Sequence, residues 1–112
     1  MAKPTELAQK YMDAFFGQEP LESMEKIFAE NLIFEGPFQR TTSAKAYLES
    51  LRKNPPTNVS FETEEVFENE NSVYFIYQFS KPGVKTRMVQ TFEVNDEKIS
   101  KIKLVFDTKV FT

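Results

Sequence analysis

Any proton transfer in this 112-residue chain has to proceed without histidine or cysteine, because the sequence contains neither. Histidine is the usual general base near neutral pH and the commonest metal ligand, so acid–base work falls to Asp, Glu, Tyr or Lys. Serine–histidine triads, thiolate nucleophiles, disulfides and metal sites built on Cys or His are excluded. The stretch Phe28-Ala29-Glu30-Asn31-Leu32-Ile33-Phe34-Glu35-Gly36-Pro37-Phe38 is the richest in chemical possibility. It reads as a strand in a hollow fold that brings a carboxylate, Glu35, towards a cavity. It then turns, since Pro37 cannot donate to a ladder and disfavours helix in the residue before it. A carboxyl group desolvated in such a cavity has its pKa raised towards the range of a working base.

The elements that position these residues follow from spacing. Leu7, Tyr11, Ala14 and Phe15 recur at three- and four-residue intervals, which predicts an amphipathic helix from about Pro4 to Phe16, closed by Gly17. Pro20 opens a second, shorter helix with the stripe Leu21, Met24, Ile27 and Phe28. Leu32 to Glu35 is a short strand. Thr42 or Ser43 caps a third helix that runs to about Lys53, with Ala44, Tyr47, Leu48 and Leu51 as its stripe, stopped by Asn54-Pro55-Pro56. The period then changes to two. Strands are expected over Val59–Glu68, Ser72–Ser80, Val84–Val94 and Lys98 to about Val110, joined by hairpin-length turns. The order helix, helix, strand, helix and four strands makes one α+β domain over residues 1–112.

Composition narrows the partners. With 40% hydrophobic residues and 12 Phe, the chain is long enough for one core and too short for two. Its 14 basic and 17 acidic residues are interspersed, so no footprint for nucleic acid or an anionic membrane stands out. No apolar run has the length of a membrane span, and Met1 to Lys10 lacks the apolar centre of a signal peptide, so a cytoplasmic protein is expected. The acidic run Glu62, Glu64, Glu65, Glu68 and Glu70 reads as an exposed, edge-protecting face, and no metal or other cofactor is expected.

Ala8-Gln9-Lys10-Tyr11-Met12-Asp13-Ala14-Phe15, Phe28-Ala29-Glu30-Asn31 and the strand Arg87 to Val94, taken in this element order, resemble the nuclear transport factor 2-like superfamily and its SnoaL-like and ketosteroid isomerase-like branches. The resemblance covers nearly the whole chain. It implies a cone-shaped, strongly curved, mostly antiparallel sheet wrapped around three helices from the N-terminal half, a cystatin-like roll with a pocket inside. It says little about activity, since this fold carries isomerases, cyclases, epoxide hydrolases, dehydratases and non-catalytic domains.

Ketosteroid isomerases need an Asp base and an oxyanion hole made of a Tyr and a protonated Asp. Tyr11 falls at the place similar to their tyrosine, Gln90 replaces the protonated acid, and Gly36 stands where the base would be. Glu35 is its neighbour but points to the opposite face of a strand. An amide donates a hydrogen bond without changing protonation state. Asp107, after the last strand's Phe106, lies where SnoaL-like cyclases and relatives can carry an acid, and with Glu35 and Asp13 it is a candidate base. The epoxide hydrolases' Asp-Arg-Asp arrangement has no counterpart, because Val89 follows Arg87 where an acid is expected.

Alternation extends the site. Met88, Gln90 and Phe92 share a face, and the same register adds Val73, Phe75, Tyr77 and Phe79 from one neighbour and Ile102, Leu104 and Phe106 from the other. With Phe15, Phe38 and Tyr47 these form an aromatic wall for a small apolar ligand, unless the phenylalanines fill the cone themselves. The strand Val73 to Phe79 is apolar on both faces. A homodimer through the outer sheet face is therefore expected, the alternative being that the chain's last segment covers that face. Two functional readings follow. One is cofactor-independent isomerase-, cyclase- or lyase-type chemistry on a small apolar carbonyl compound, with Tyr11 and Gln90 polarising an oxygen and Glu35 or Asp107 moving the proton. The other is a non-catalytic binding or interaction module.

Overall fold

A computed structural model describes residues 3–111. Helix α1, Pro4–Phe15, starts with a proline in its first turn, where the missing N–H costs nothing, and buries Leu7, Ala8, Tyr11, Met12 and Ala14. Gly17, at φ +87°, lets the chain reverse. The second predicted helix is only a 3-10 turn, Leu21–Lys26. The expected stripe is split because sheet pairing captures its end: the Ile27 carbonyl accepts from the Ile99 amide at 2.7 Å. Strand β1 therefore already begins at Phe28 and runs to Glu35, twice the predicted length.

A two-residue strand β2, Arg40–Thr41, folds back on β1. Helix α2, Ala44–Lys53, is capped by Ser43, whose Oγ accepts from the Ala46 amide at 3.0 Å. Strands β3 (Ser60–Glu68), β4 (Ser72–Lys81), β5 (Val84–Asn95) and β6 (Lys98–Val105) form the predicted meander. Asp96 and Glu97, at φ 51° and 61°, make the tight β5–β6 turn.

The single curved, open sheet has the order β2-β1-β6-β5-β4-β3, with β1 and β6 parallel and every other pair antiparallel. Register irregularities in β1, β3 and β5 supply local bends. The acidic strand β3 lies at a sheet edge. Helix α1 packs against β4, β5 and β6, and α2 against β1, so both helices lie on the inner face.

Alternation is strict in β4: Val73, Phe75, Tyr77 and Phe79 are buried inside, while Tyr74 on the other face is 49% exposed. Glu64 ties the outer face of three strands together, accepting from Arg87 Nε at 2.7 Å, Arg87 Nη2 at 3.0 Å and Gln78 Nε2 at 3.2 Å. Phe67, Tyr74 and Val105 are exposed in the single chain. The last segment leaves that face uncovered. Instead of extending a strand to Val110, the chain breaks after Val105 and forms a 3-10 turn, Thr108–Phe111, whose Phe111 packs on Phe79 and Phe106 at the inner side. No helix among the described residues is long and apolar enough to cross a membrane.

Candidate functional site

Between α1, α2 and the inner face of the sheet lies a cavity of about 450 Å³. The phenylalanines therefore do not fill the cone completely. One end of the inner face is solid: Phe75 and Phe92 meet edge to face at 5.8 Å, and Phe92 meets Tyr11 at 5.3 Å. Towards the other end Tyr11, Tyr47, Tyr77, Met88 and Gln90 border the open space. Phe34, Phe79 and Leu104 extend the wall, and Phe38, Phe106 and Phe111 form an aromatic rim.

The polar groups in this wall are linked. Tyr77 donates to Gln90 Oε1 at 2.8 Å, a diagonal cross-strand contact, and its hydroxyl lies 3.6 Å from Met88 Sδ. Gln90, 2% exposed, also reaches Tyr11. The Tyr11 and Tyr47 hydroxyls are 2.5 Å apart. Tyr47 is held from behind by Phe34, stacked at 4.5 Å with planes 16° apart. Only one of the two phenolic protons can serve the Tyr11–Tyr47 bond, so the pair keeps a second hydroxyl proton to donate elsewhere.

Burial sets the protonation of the network. It pushes Tyr11 up to about 12, against the opposing hydrogen bonds of Tyr47 and Gln90. Tyr47 is raised well above the ordinary phenol range by burial and then by the neighbouring Tyr11. Tyr77 is raised by burial and, secondarily, by Tyr11. The three phenols therefore remain neutral donors and acceptors near pH 7.

Of the residues singled out in the sequence, Tyr11, Phe15, Phe38, Tyr47, Tyr77, Met88, Gln90 and Phe106 border the cavity. Four others do not. Phe75 and Phe92 share the inner face but lie in the packed core, 1% and 0% exposed, because their rings close the space beneath Tyr11. Glu35 faces away: Phe34 takes the inward position of β1, and Glu35 pairs instead with Arg40 at 3.3 Å. Asp107 lies beyond the end of β6, exposed, with its Oδ1 accepting from the Lys109 amide at 3.0 Å as a local turn cap. Asp13 accepts from Gln9 Nε2 on the helix surface. Among the described residues lining the cavity there is no carboxylate.

Gly36 does line it, as alternation requires. A Cβ there would sit 3.1 Å from Phe34 Cε1 and 3.8 Å from Leu104 Cβ, so the Phe34 ring occupies much of the room a side chain would need. Sequence reading missed Gln39, Ser50, Asn54, Lys81 and Phe111. For Lys81 a signal existed: one more step of the Tyr77–Phe79 alternation reaches it, although Lys81-Pro82-Gly83 reads first as a turn.

Comparison with known proteins agrees with this architecture. The sequence profile of the SnoaL-like domain matches residues 8–102. None of the curated proteins matches at a significant level. Among solved structures, a nuclear transport factor 2-like protein of unknown function from Cytophaga hutchinsonii superposes with a TM-score of 0.84 at 19% identity, over 99% of this chain and 96% of that one. A ketosteroid isomerase candidate from Kribbella flavida gives 0.78 at 21% identity, over 90% and 75%. An epoxide hydrolase of the LEH-like type from M. tuberculosis gives 0.73 at 16% identity, over 92% and 81%. At these identities the similarity establishes the fold and leaves the activity open.

Proposed function

The chain belongs to the SnoaL-like domain family, and from that premise we propose that it binds a small, largely apolar molecule in its cavity, held by an oxygen at the Tyr11–Tyr47 hydroxyl pair. One observation carries this reading: a buried, hydrogen-bonded phenol pair beside the Tyr77–Gln90 bond, backed by Phe34 and set in a largely apolar wall. Such walls give affinity through burial, and the few polar groups set orientation. A carbonyl or hydroxyl oxygen placed there meets a neutral, preorganised donor.

The catalytic alternative uses the same donors. In a dry site they would stabilise a developing enolate, an effect worth roughly 3–4 kcal/mol per donor elsewhere. Isomerase- or cyclase-type chemistry also needs a base, and the placement of Glu35 and Asp107 away from the cavity favours binding without turnover. Calorimetric titration with aryl and alkyl methyl ketones tests the binding reading. Tyr11→Phe should weaken the tightest of them about tenfold, as expected for a lost buried hydrogen bond, while leaving the fold intact. Unchanged affinity would remove the phenol pair from the site. Incubation of the same ketones in deuterated buffer decides between the readings: exchange at the carbon next to the carbonyl above the protein-free rate would establish proton transfer and overturn the non-catalytic one.

The exposed outer-face residues Phe67, Tyr74 and Val105 support a second proposal, a homodimer through this surface. Sedimentation at micromolar concentration should give the dimer mass. A monomer would refute it.

A further inference from the structure

Lys81 is the one residue with a formal charge among the described residues that line the cavity, and it stands on the same inner face as the tyrosine network. Positions 77, 79 and 81 of β4 point the same way, so Tyr77 marks the deep polar end, Phe79 the wall and Lys81 the mouth. Four residues of extended chain put the two ends about 13 Å apart along the strand. The Lys81 ammonium is 5.1 Å from the centre of the Phe111 ring, over the aromatic rim. No carboxylate among the described residues forms an ion pair with it.

This placement is unusual for the chain as a whole. Acidic residues outnumber basic ones, 17 to 14, yet none of the described cavity-lining residues is acidic. The cavity thus combines a neutral hydrogen-bond donor at its depth, an apolar middle and a single positive charge at its opening. A purely neutral ligand would leave that charge unused. A ligand with an anion at one end would meet opposite charge at the mouth and no like charge along the wall.

We propose that the cavity takes an amphipathic carboxylate: an apolar body with a carbonyl or hydroxyl oxygen at one end, seated on Tyr11 and Tyr47, and a carboxylate at the other, paired with Lys81. This rests on the binding reading above and adds the chemical class of ligand. The amides Gln39 and Asn54 and the Ser50 hydroxyl also border the cavity and can hydrate or bond the carboxylate beside the lysine. The competing structural role for Lys81 is simply to hold Phe111 down by stacking on its ring.

Two probes separate these roles: an unbranched methyl ketone of about nine carbons, a length suited to the roughly 13 Å span, and the same ketone carrying a terminal carboxylate. Calorimetry on the whole protein at low salt should show the carboxylated probe binding about fivefold more tightly, the size of preference a partly exposed ion pair provides. Raising the salt should shrink that preference. Lys81→Met, which keeps the apolar stem, should bring the two affinities together, and Lys81→Arg should restore the preference. Equal binding of both probes by the unaltered protein overturns the carboxylate proposal and leaves the ketone-binding reading standing. A preference that survives Lys81→Met overturns the assignment to Lys81. If neither probe binds, the cavity reading falls and this proposal falls with it.

Discussion

The two ends of the inner sheet face use similar residues to opposite effect. On β4 and β5 the rung Val73–Phe92 is fully buried core, whereas two rungs away Tyr77–Met88 borders open space. The rung between them pairs Phe75 with Gln90 and contains the boundary itself: the Phe points into the core and the amide gathers the hydroxyls. The comparison teaches that a cavity here needs a wall with two properties. Its apolar rings must have something to pack on, and its buried polar groups must have hydrogen-bond partners. Phe92 rests on Tyr11 and Phe75, while Tyr11, Tyr47, Tyr77 and Gln90 form a connected set.

The largest expected effect lies at the closed end. Phe92→Ala should lower unfolding free energy by about 3–5 kcal/mol, since it empties a fully buried ring site against Tyr11 and Phe75. Denaturant unfolding measures this, and a loss under about 1 kcal/mol would mean that this end is no better packed than the mouth. Gln90→Leu tests the boundary. It preserves bulk but removes the acceptor of the Tyr77 hydroxyl, so a cost of about 1–3 kcal/mol is expected from the unpaired buried group. A neutral outcome in the same assay would show that the network does not constrain the wall.

The smallest effect is a pH dependence confined to the open end. An ordinary phenol ionises near 10, and Tyr11 in the folded chain is held to about 12. A group whose pKa is raised by folding contributes stability below its unfolded value and loses that contribution as pH climbs through the folded value. Stability arising from Tyr11 should therefore be flat across neutral pH and decline between 10 and about 12. By roughly pH 11 the unaltered protein should have lost about 1 kcal/mol more than Tyr11→Phe, relative to neutral pH. Identical alkaline profiles would place Tyr11 in a solvated setting.

The element order, the amphipathic stripe of α1, the β4–β6 meander and its inward face follow from periodicity that any neighbour would have to respect. Tyr11, Tyr77, Met88 and Gln90 were legible for that reason, each fixed to the interior by two- or four-residue spacing. Glu35, expected as a candidate base, lies outside the interior because Phe34 takes the inward position of β1. What periodicity cannot convey is depth along the cone. Phe75 and Tyr77 carry the same inward signal, yet one closes the core and the other lines the cavity, because α1 and the opposing rings fill only the first position.

Chain ends and turns were misread for the same reason. The stripe through Phe28 fits a helix locally, but the Ile27 carbonyl is bonded to the Ile99 amide from a strand more than seventy residues away. The break after Val105, which swings Phe111 onto the rim and takes Asp107 out of the wall, is likewise decided by contacts distant in sequence. By itself the sequence determined which residues face inward and that no histidine or cysteine chemistry operates. The tertiary structure decided which inward residues meet each other, because hydroxyl pairing, ring packing and the placement of Lys81 depend on distances that only the closed fold creates.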